Sequence, residues 1–179
     1  MENVITVKDK DFKLYIPHQT IIDKIDEIAA QINKDFCDTE PLFLSVLNGS
    51  FMFAAELYQR ISLQSHISFV KVSSYSGMES TKNIKQLIGF DIPIKDRDII
   101  IIEDIIDTGF TMKYVLKQLK QLGAKSVSIV TLFFKPDSFE QNYKIDYVGF
   151  EIPDDFIVGF GLDYDGYGRN HESVFIAID

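Results

Sequence analysis

The chain has 179 residues, a net charge of −9, 46% hydrophobic and 25% charged residues, and one cysteine. That is enough chain for a single domain with one continuous core and an ordinary soluble composition. The acidic balance argues against a general nucleic-acid binder, which needs a basic surface, but not against a phosphorylated substrate, because Mg²⁺ can bridge carboxylates to phosphates. With Cys37 alone no internal disulfide can form, which fits a reducing compartment. Cys37 follows Phe36 near the end of a helical pattern, and a structural role is expected for it. His18, His66 and His171 are scattered and make no metal-ligand pair. Residues 1–12 carry charges and no apolar stretch of the kind a signal peptide has. No apolar run approaches the ~18 residues needed to span a bilayer. A cytoplasmic protein with no membrane partner is expected.

Pro17 opens a helix in which Ile21, Ile25, Ile28, Ile32 and Phe36 recur at steps of three and four. Leu42 to Leu47 reads as a buried strand ending in an Asn48-Gly49-Ser50 turn. Phe51 to Ile61 follows as a second helix. Ile67 to Val72 alternates as a strand does. Ser73 to Gln86 is polar, contains Gly77 and reads as a long loop, and long loops in compact domains tend to be functional. Asp98 to Ile102 is a strand of four isoleucines, apolar on both faces, as central parallel strands are. A helix is predicted from about Thr111 to Leu122, with Gly123 just past its end. Ser126 to Phe134 is the next strand. Tyr147 to Phe150, Ile157 to Phe160 and Val174 to Ile178 are shorter ones. This alternation predicts an α/β fold with a mostly parallel central sheet flanked by helices. Ligands in such sheets sit beyond the carboxyl ends of the strands.

One strand end carries the strongest chemical signal. Residues 99–111 read IIIIEDIIDTGFT. Adjacent carboxylates at Glu103 and Asp104 can accept two ribose hydroxyls and hold Mg²⁺ nearby. Thr108, Gly109, Phe110 and Thr111 form a turn into a helix whose exposed backbone N–H groups favour a phosphate dianion. Asp107 lies between the two, where a base could act. Taken alone, the segment also reads as a strand, an acidic loop and a helix start, since acidic residues favour helix starts. No G-x-x-x-x-G-K-[ST] is present, and Gly159 and Gly161 lack the third glycine of a dinucleotide fingerprint.

The segment resembles the phosphoribosyl-pyrophosphate motif of type I phosphoribosyltransferases. The rest of the chain is similar to the hypoxanthine-guanine branch of that family. The likeness runs through VLNGSFMF (Val46 to Phe53), SSYSG (Ser73 to Gly77), LFFKP (Leu132 to Pro136), VGFEIPDDFIVGFGLDY (Val148 to Tyr164) and Arg169. The resemblance implies one domain over residues 1–179, with a small hood built mainly from about 1–16 and 150–179. It implies Mg²⁺ as cofactor, phosphoribosyl pyrophosphate and a 6-oxopurine base as partners, and a homo-oligomer, dimer or tetramer.

Roles follow by the same resemblance. Glu103 and Asp104 would bind the ribose hydroxyls. Asp107 would be the general base near N7 of the purine, and residues 107–111 the 5′-phosphate cradle. Gly49, with the Leu47–Asn48 peptide, would meet pyrophosphate, as would Arg169, whose planar guanidinium suits it. The family often has Lys or Arg where this chain has Asn48. Ser74 and Tyr75 would lie at the tip of a closing loop, in which Lys82 stands where relatives often have Gly. Lys135 would donate to O6 of the base; an ammonium has donors and no acceptor, so it favours a 6-oxo over a 6-amino group. Phe156 would stack on the base, Ile157 would contact it through backbone groups, and Asp163 would lie beside it. Glu103, Asp104 and Asp163 would be the metal-linked carboxylates.

Without the resemblance, Asn48-Gly49 would read as a tight turn, Lys135 as an exposed strand end and Phe156 as a core aromatic. Two other functions fit the pattern less well: a regulator that binds phosphoribosyl pyrophosphate or nucleotides without chemistry, and a transferase preferring another base such as xanthine. Asp107→Asn is expected to lose about 10²- to 10⁴-fold in turnover while keeping substrate binding. A near-normal turnover number in steady-state kinetics would remove Asp107 from the mechanism.

Overall fold

The computed structural model describes residues 4–74 and 84–178. In chain order the elements are β1 (Val4–Val7), β2 (Lys10–Ile16), α1 (His18–Asp35), β3 (Leu42–Leu47), α2 (Phe51–Gln59), β4 (His66–Ser74), β5 (Ile84–Ile88), β6 (Asp98–Ile106), α3 (Phe110–Gln121), β7 (Ser126–Phe134), β8 (Tyr147–Glu151), β9 (Ile157–Val158) and β10 (Val174–Ala177). Six strands form the main sheet in the order β5-β4-β3-β6-β7-β8. Its neighbours run parallel from β4 to β8, and β5 alone is antiparallel.

The isoleucine run explains the layering. Side chains alternate across a strand, so Ile100 and Ile102 point one way and Ile99 and Ile101 the other. The first pair packs with Ile21, Ile25, Ile28 and Ile32 of α1 and Phe53 and Leu57 of α2. The second packs with Met112, Val115 and Leu119 of α3. All four isoleucines are fully buried. Gly123 follows α3 with φ +78 and so ends it, as the sequence implies.

Several boundaries move. α2 stops at Gln59, because Arg60 and Ile61 close the helix with turn hydrogen bonds to Leu57 and Tyr58. The expected Ser73–Gln86 loop is shorter: β4 runs to Ser74, and Ile84–Ile88 pairs with it as β5. Tyr75, Gly77 and residues 80–82 lie outside the described residues. The strand expected over Ile157–Phe160 is only Ile157–Val158, since positive φ at Gly159, Phe160 and Gly161 turns the chain.

A second sheet, β1-β2-β10-β9, is antiparallel throughout. The strands β1 and β2 were not anticipated from the sequence, because alternating charged and apolar residues at the start of a chain carry little signal. This sheet has its own small cluster of Val7, Phe12, Val158 and Phe175. It joins the main core through Ile16, Ile157, Phe160, Leu162 and Val174.

Truncating Ile101, fully buried against α3, is expected to cost about 2–5 kcal/mol in Ile101→Ala. Denaturant unfolding would read this as a lower midpoint with an unchanged slope.

Candidate active site

The acidic pair does not end β6. The strand continues to Ile106, because Ile105 and Ile106 still pair with Phe133 and Phe134 of β7. Glu103 and Asp104 therefore lie inside the ladder and are buried. Burial is the main cause that pushes the Glu103 carboxyl well above its ordinary value, and the neighbouring Asp104 charge adds to it. Asp104 is raised too, again by burial, with Glu103, backbone N–H groups and Arg169 pulling the other way. The Oε2 atom of Glu103 is buried with no hydrogen-bond partner among the described residues. Two carboxyls in this state are poised to accept donors from something that enters.

Past Ile106 the chain turns through Asp107 and Thr108 to Gly109, which takes φ +79 and caps α3. The turn from Asp107 to Thr111 and the side of Glu103 enclose a small cleft of about 110 Å³. The N-terminus of α3 opens into it, and the positive end of a helix dipole favours an anion there. The turn is braced from outside: Thr108 O accepts from Glu140 N and Gln141 Nε2, and Gly109 O accepts from the Tyr143 hydroxyl at 2.9 Å.

A larger cleft of about 440 Å³ adjoins it, sharing Glu103 and Thr111. Asn48, Gly49, Asp104, Asp163 and Arg169 line it. Gly49 is required here: a Cβ at this position would stand 1.5 Å from Asp104 Oδ2. Gly161 is required for the same reason, as its Cβ would stand 2.1 Å from the Gly49 carbonyl oxygen. Arg169 donates to Gly161 O at 2.6 Å and pairs with Asp163 at 2.7 Å. Asp163 also accepts from Gly166 N.

The other side of Asp107 faces Lys135. The lysine follows β7 but is no exposed strand end: it is 8% exposed. Its Nζ lies 3.6 Å from Asp107 and 3.0 Å from Asp154. Phe156 is no core aromatic either. The residue is 47% exposed, and its ring is backed by Phe12 at 6.2 Å and by Tyr164 edge-on at 5.7 Å. Ile157 lies on β9, the outer strand of its sheet, and pairs with Ile176 on the inner side only. The structure thus brings together Asn48, Gly49, Asp104, Asp163 and Arg169 at one cleft and residues 107–111 at the other, with Glu103 and Thr111 common to both. Ser74 ends β4, and Tyr75 lies outside the described residues.

Two charged residues escaped the sequence analysis. Lys71 of β4 enters the larger cleft, and Asp154 holds Lys135. Register would have found the first: in the parallel pair β3–β4, Lys71 stands opposite Leu47, beside the Asn48 turn. Nothing local marks the second, since its contact spans 19 residues. Among the described residues no three His, Cys, Asp or Glu side chains converge closely enough to hold a metal by themselves. No helix there is long and apolar enough to cross a membrane.

Residues 14–165 match the family model described as "Phosphoribosyl transferase domain". The chain belongs to the phosphoribosyltransferase family. Among similar proteins is a Streptococcus mutans hypoxanthine-guanine phosphoribosyltransferase, 45% identical over 159 residues that make up 88% of either chain. A Bacillus subtilis protein of the same name is 40% identical with the same coverage. A crystal structure of a Staphylococcus aureus hypoxanthine phosphoribosyltransferase superposes with a TM-score of 0.88 at 35% identity, over 92% of this chain and 90% of that one. As a phosphoribosyltransferase, the chain has the family's central parallel sheet flanked by helices.

The buried acidic pair has a cost that the ligand-free protein must carry. A carboxyl whose value is raised on folding contributes stability below its unfolded value, 4.5 for Glu103, and loses it as pH rises through the raised one. In chelator and without substrate, thermal stability should therefore fall as pH climbs above that point. Glu103→Gln should flatten that slope and raise the melting temperature near pH 7 by about 2–4 °C while activity is lost. Equal pH slopes for the two proteins in thermal scans would contradict this account.

Proposed function

We propose that this protein is a purine-salvage transferase. It moves the 5-phosphoribosyl group from phosphoribosyl pyrophosphate to N9 of hypoxanthine or guanine, giving the nucleoside monophosphate and pyrophosphate. The observation that carries this reading is the placement of Asp107 and Lys135, 3.6 Å apart, at the end of the strand that buries Glu103 and Asp104. A proton acceptor and a donor for a 6-oxo group then flank one position, next to a phosphate turn. The likeness to relatives named for hypoxanthine and guanine supports the same base class.

The residues divide the work. The Thr108–Thr111 turn holds the 5′-phosphate on backbone N–H groups and hydroxyls. Glu103 and Asp104 accept from the ribose hydroxyls, which relieves the unpartnered Glu103 oxygen. Asn48 and Gly49 present backbone to the pyrophosphate, and Lys71 and Arg169, which line the same cleft, supply positive charge. Phe156 stacks on the purine, a contact worth about 1–3 kcal/mol. Lys135 donates to O6, and Ile157 offers the open edge of β9 to the base. In the reaction the bond from C1′ to the pyrophosphate oxygen breaks and its electrons leave with pyrophosphate. The bond from N9 to C1′ forms, and the proton released at N7 goes to Asp107.

The donor set also suits a divalent cation. Buried carboxyls at Glu103 and Asp104, with Asp163 lining the same cleft, would hold Mg²⁺ only together with oxygens of the substrate and water, as this ion is usually held. Its chemistry there would be neutralisation of pyrophosphate charge. The same reading takes the β1-β2-β10-β9 sheet as the hood over a single domain.

Mixing the protein with phosphoribosyl pyrophosphate, Mg²⁺ and each of hypoxanthine, guanine, xanthine and adenine, and following nucleotide formation by absorbance, tests the reading. Product with hypoxanthine or guanine and none with adenine is expected. Binding of phosphoribosyl pyrophosphate without product from any base would replace the enzyme with a regulator.

A further inference from the structure

Lys135 is buried to about a tenth of its side-chain exposure, yet it serves two carboxylates on different segments. Asp107 follows β6. Asp154 lies in the link between β8 and β9, two residues before Phe156. The two contacts differ in kind. Asp154 Oδ1 accepts a hydrogen bond from Nζ at 3.0 Å. Asp107 Oδ2 stands at 3.6 Å, inside ion-pair range but too far for a hydrogen bond. That bond and the lysine's charge hold the Asp154 carboxyl below its ordinary range, so Asp154 stays ionised.

An ammonium has three N–H donors and no acceptor. One is committed to Asp154. If nothing opposed it, the ammonium would close the remaining gap to Asp107, and the two groups the chemistry needs would satisfy each other. We propose that Asp154 is a positioning residue of the base site: it holds Lys135 Nζ back from Asp107, so that the lysine keeps a donor for the 6-oxo oxygen and Asp107 keeps an oxygen for the base proton. This rests on the purine transferase reading above. It also ties two recognition elements together, because the tether of Lys135 and the stacking ring of Phe156 sit on one short segment. That segment is anchored by Ile152 N to Phe134 O and by Ala177 N to Phe156 O.

Steady-state kinetics, varying hypoxanthine and phosphoribosyl pyrophosphate in turn, test the proposal on Asp154→Asn and Asp154→Glu. Asp154→Asn, which keeps an acceptor but loses its charge, should lower kcat/KM for hypoxanthine by about fivefold, the difference between a hydrogen bond to a charged acceptor and one to a neutral acceptor. KM for phosphoribosyl pyrophosphate and the melting temperature should stay near the wild-type values. Asp154→Glu, which keeps the charge, should recover most of the loss. In a Lys135→Gln background, Asp154→Asn should have no further effect, because the lysine it positions is gone. Unchanged hypoxanthine kinetics in Asp154→Asn overturn the proposal, as does an equal loss in the Lys135→Gln background. A joint change in both KM values with a lower melting temperature would mean that Asp154 merely supports the fold, and overturns it too. Wild-type protein that makes no nucleotide overturns the underlying reading as well; active wild type with an indifferent Asp154→Asn overturns the tether alone.

Discussion

A strand that is wholly apolar for four residues and then buries two carboxyls is the constraint on which the molecule turns. β6 lies at the heart of the main sheet, with β3 on one side and β7 on the other. Its isoleucines knit the two helical layers together. Because β7 keeps pairing with it as far as Ile106, Glu103 and Asp104 are carried inside the ladder instead of being released to water. The same hydrogen bonds that give the sheet its rigidity thus hold two carboxyls in a place where neither ionises easily. Stability is spent there on a ready-made acceptor site, a trade expected at functional positions.

The second constraint is steric. Gly49 lets the turn after β3 sit against Asp104, and Gly161 lets the turn after β9 sit against Gly49. The turns after β3 and β9 meet backbone to backbone at Gly49 and Gly161, and the Asp104 carboxyl packs directly on Gly49. Arg169 then locks the stack by bonding Gly161 O and Asp163. The small sheet is held to the main one at the cleft itself, and Phe156 and Ile157 lie at the start of its outer strand β9.

On the proposed reading, local charge explains how an acidic chain would take a polyanion. The net charge of −9 is a whole-chain quantity. Locally the phosphate turn offers a helix N-terminus and backbone N–H groups, which cost no cationic side chain. Lys71 and Arg169 stand in the larger cleft, and Lys135 is placed between two carboxylates on the base side. One or two oriented groups would serve each of the proposed recognition tasks, so the sum over the chain says little about any of them.

Much of this was legible in the amino-acid order. The isoleucine spacing in α1, the apolar run of β6, the stop at Gly123 and the Glu-Asp-x-x-Asp-Thr-Gly pattern are local signals, because helix period, strand burial and turn chemistry are properties of neighbours in sequence. β1, β2 and β5 were not legible: edge and near-terminal strands take their form from the partners they pair with, not from their own pattern. Lys71 and Asp154 were silent for the same reason. One reaches its cleft through the register of β3 against β4, the other reaches Lys135 across 19 residues. The sequence by itself determined the class of fold, its family and most of the chemistry-bearing residue types, since those depend on local spacing and composition. Only the tertiary structure decided that the acidic pair is buried, that Lys135 is shared between two carboxylates and that Phe156 is exposed, because burial and pairing are set by which distant segments close over a residue.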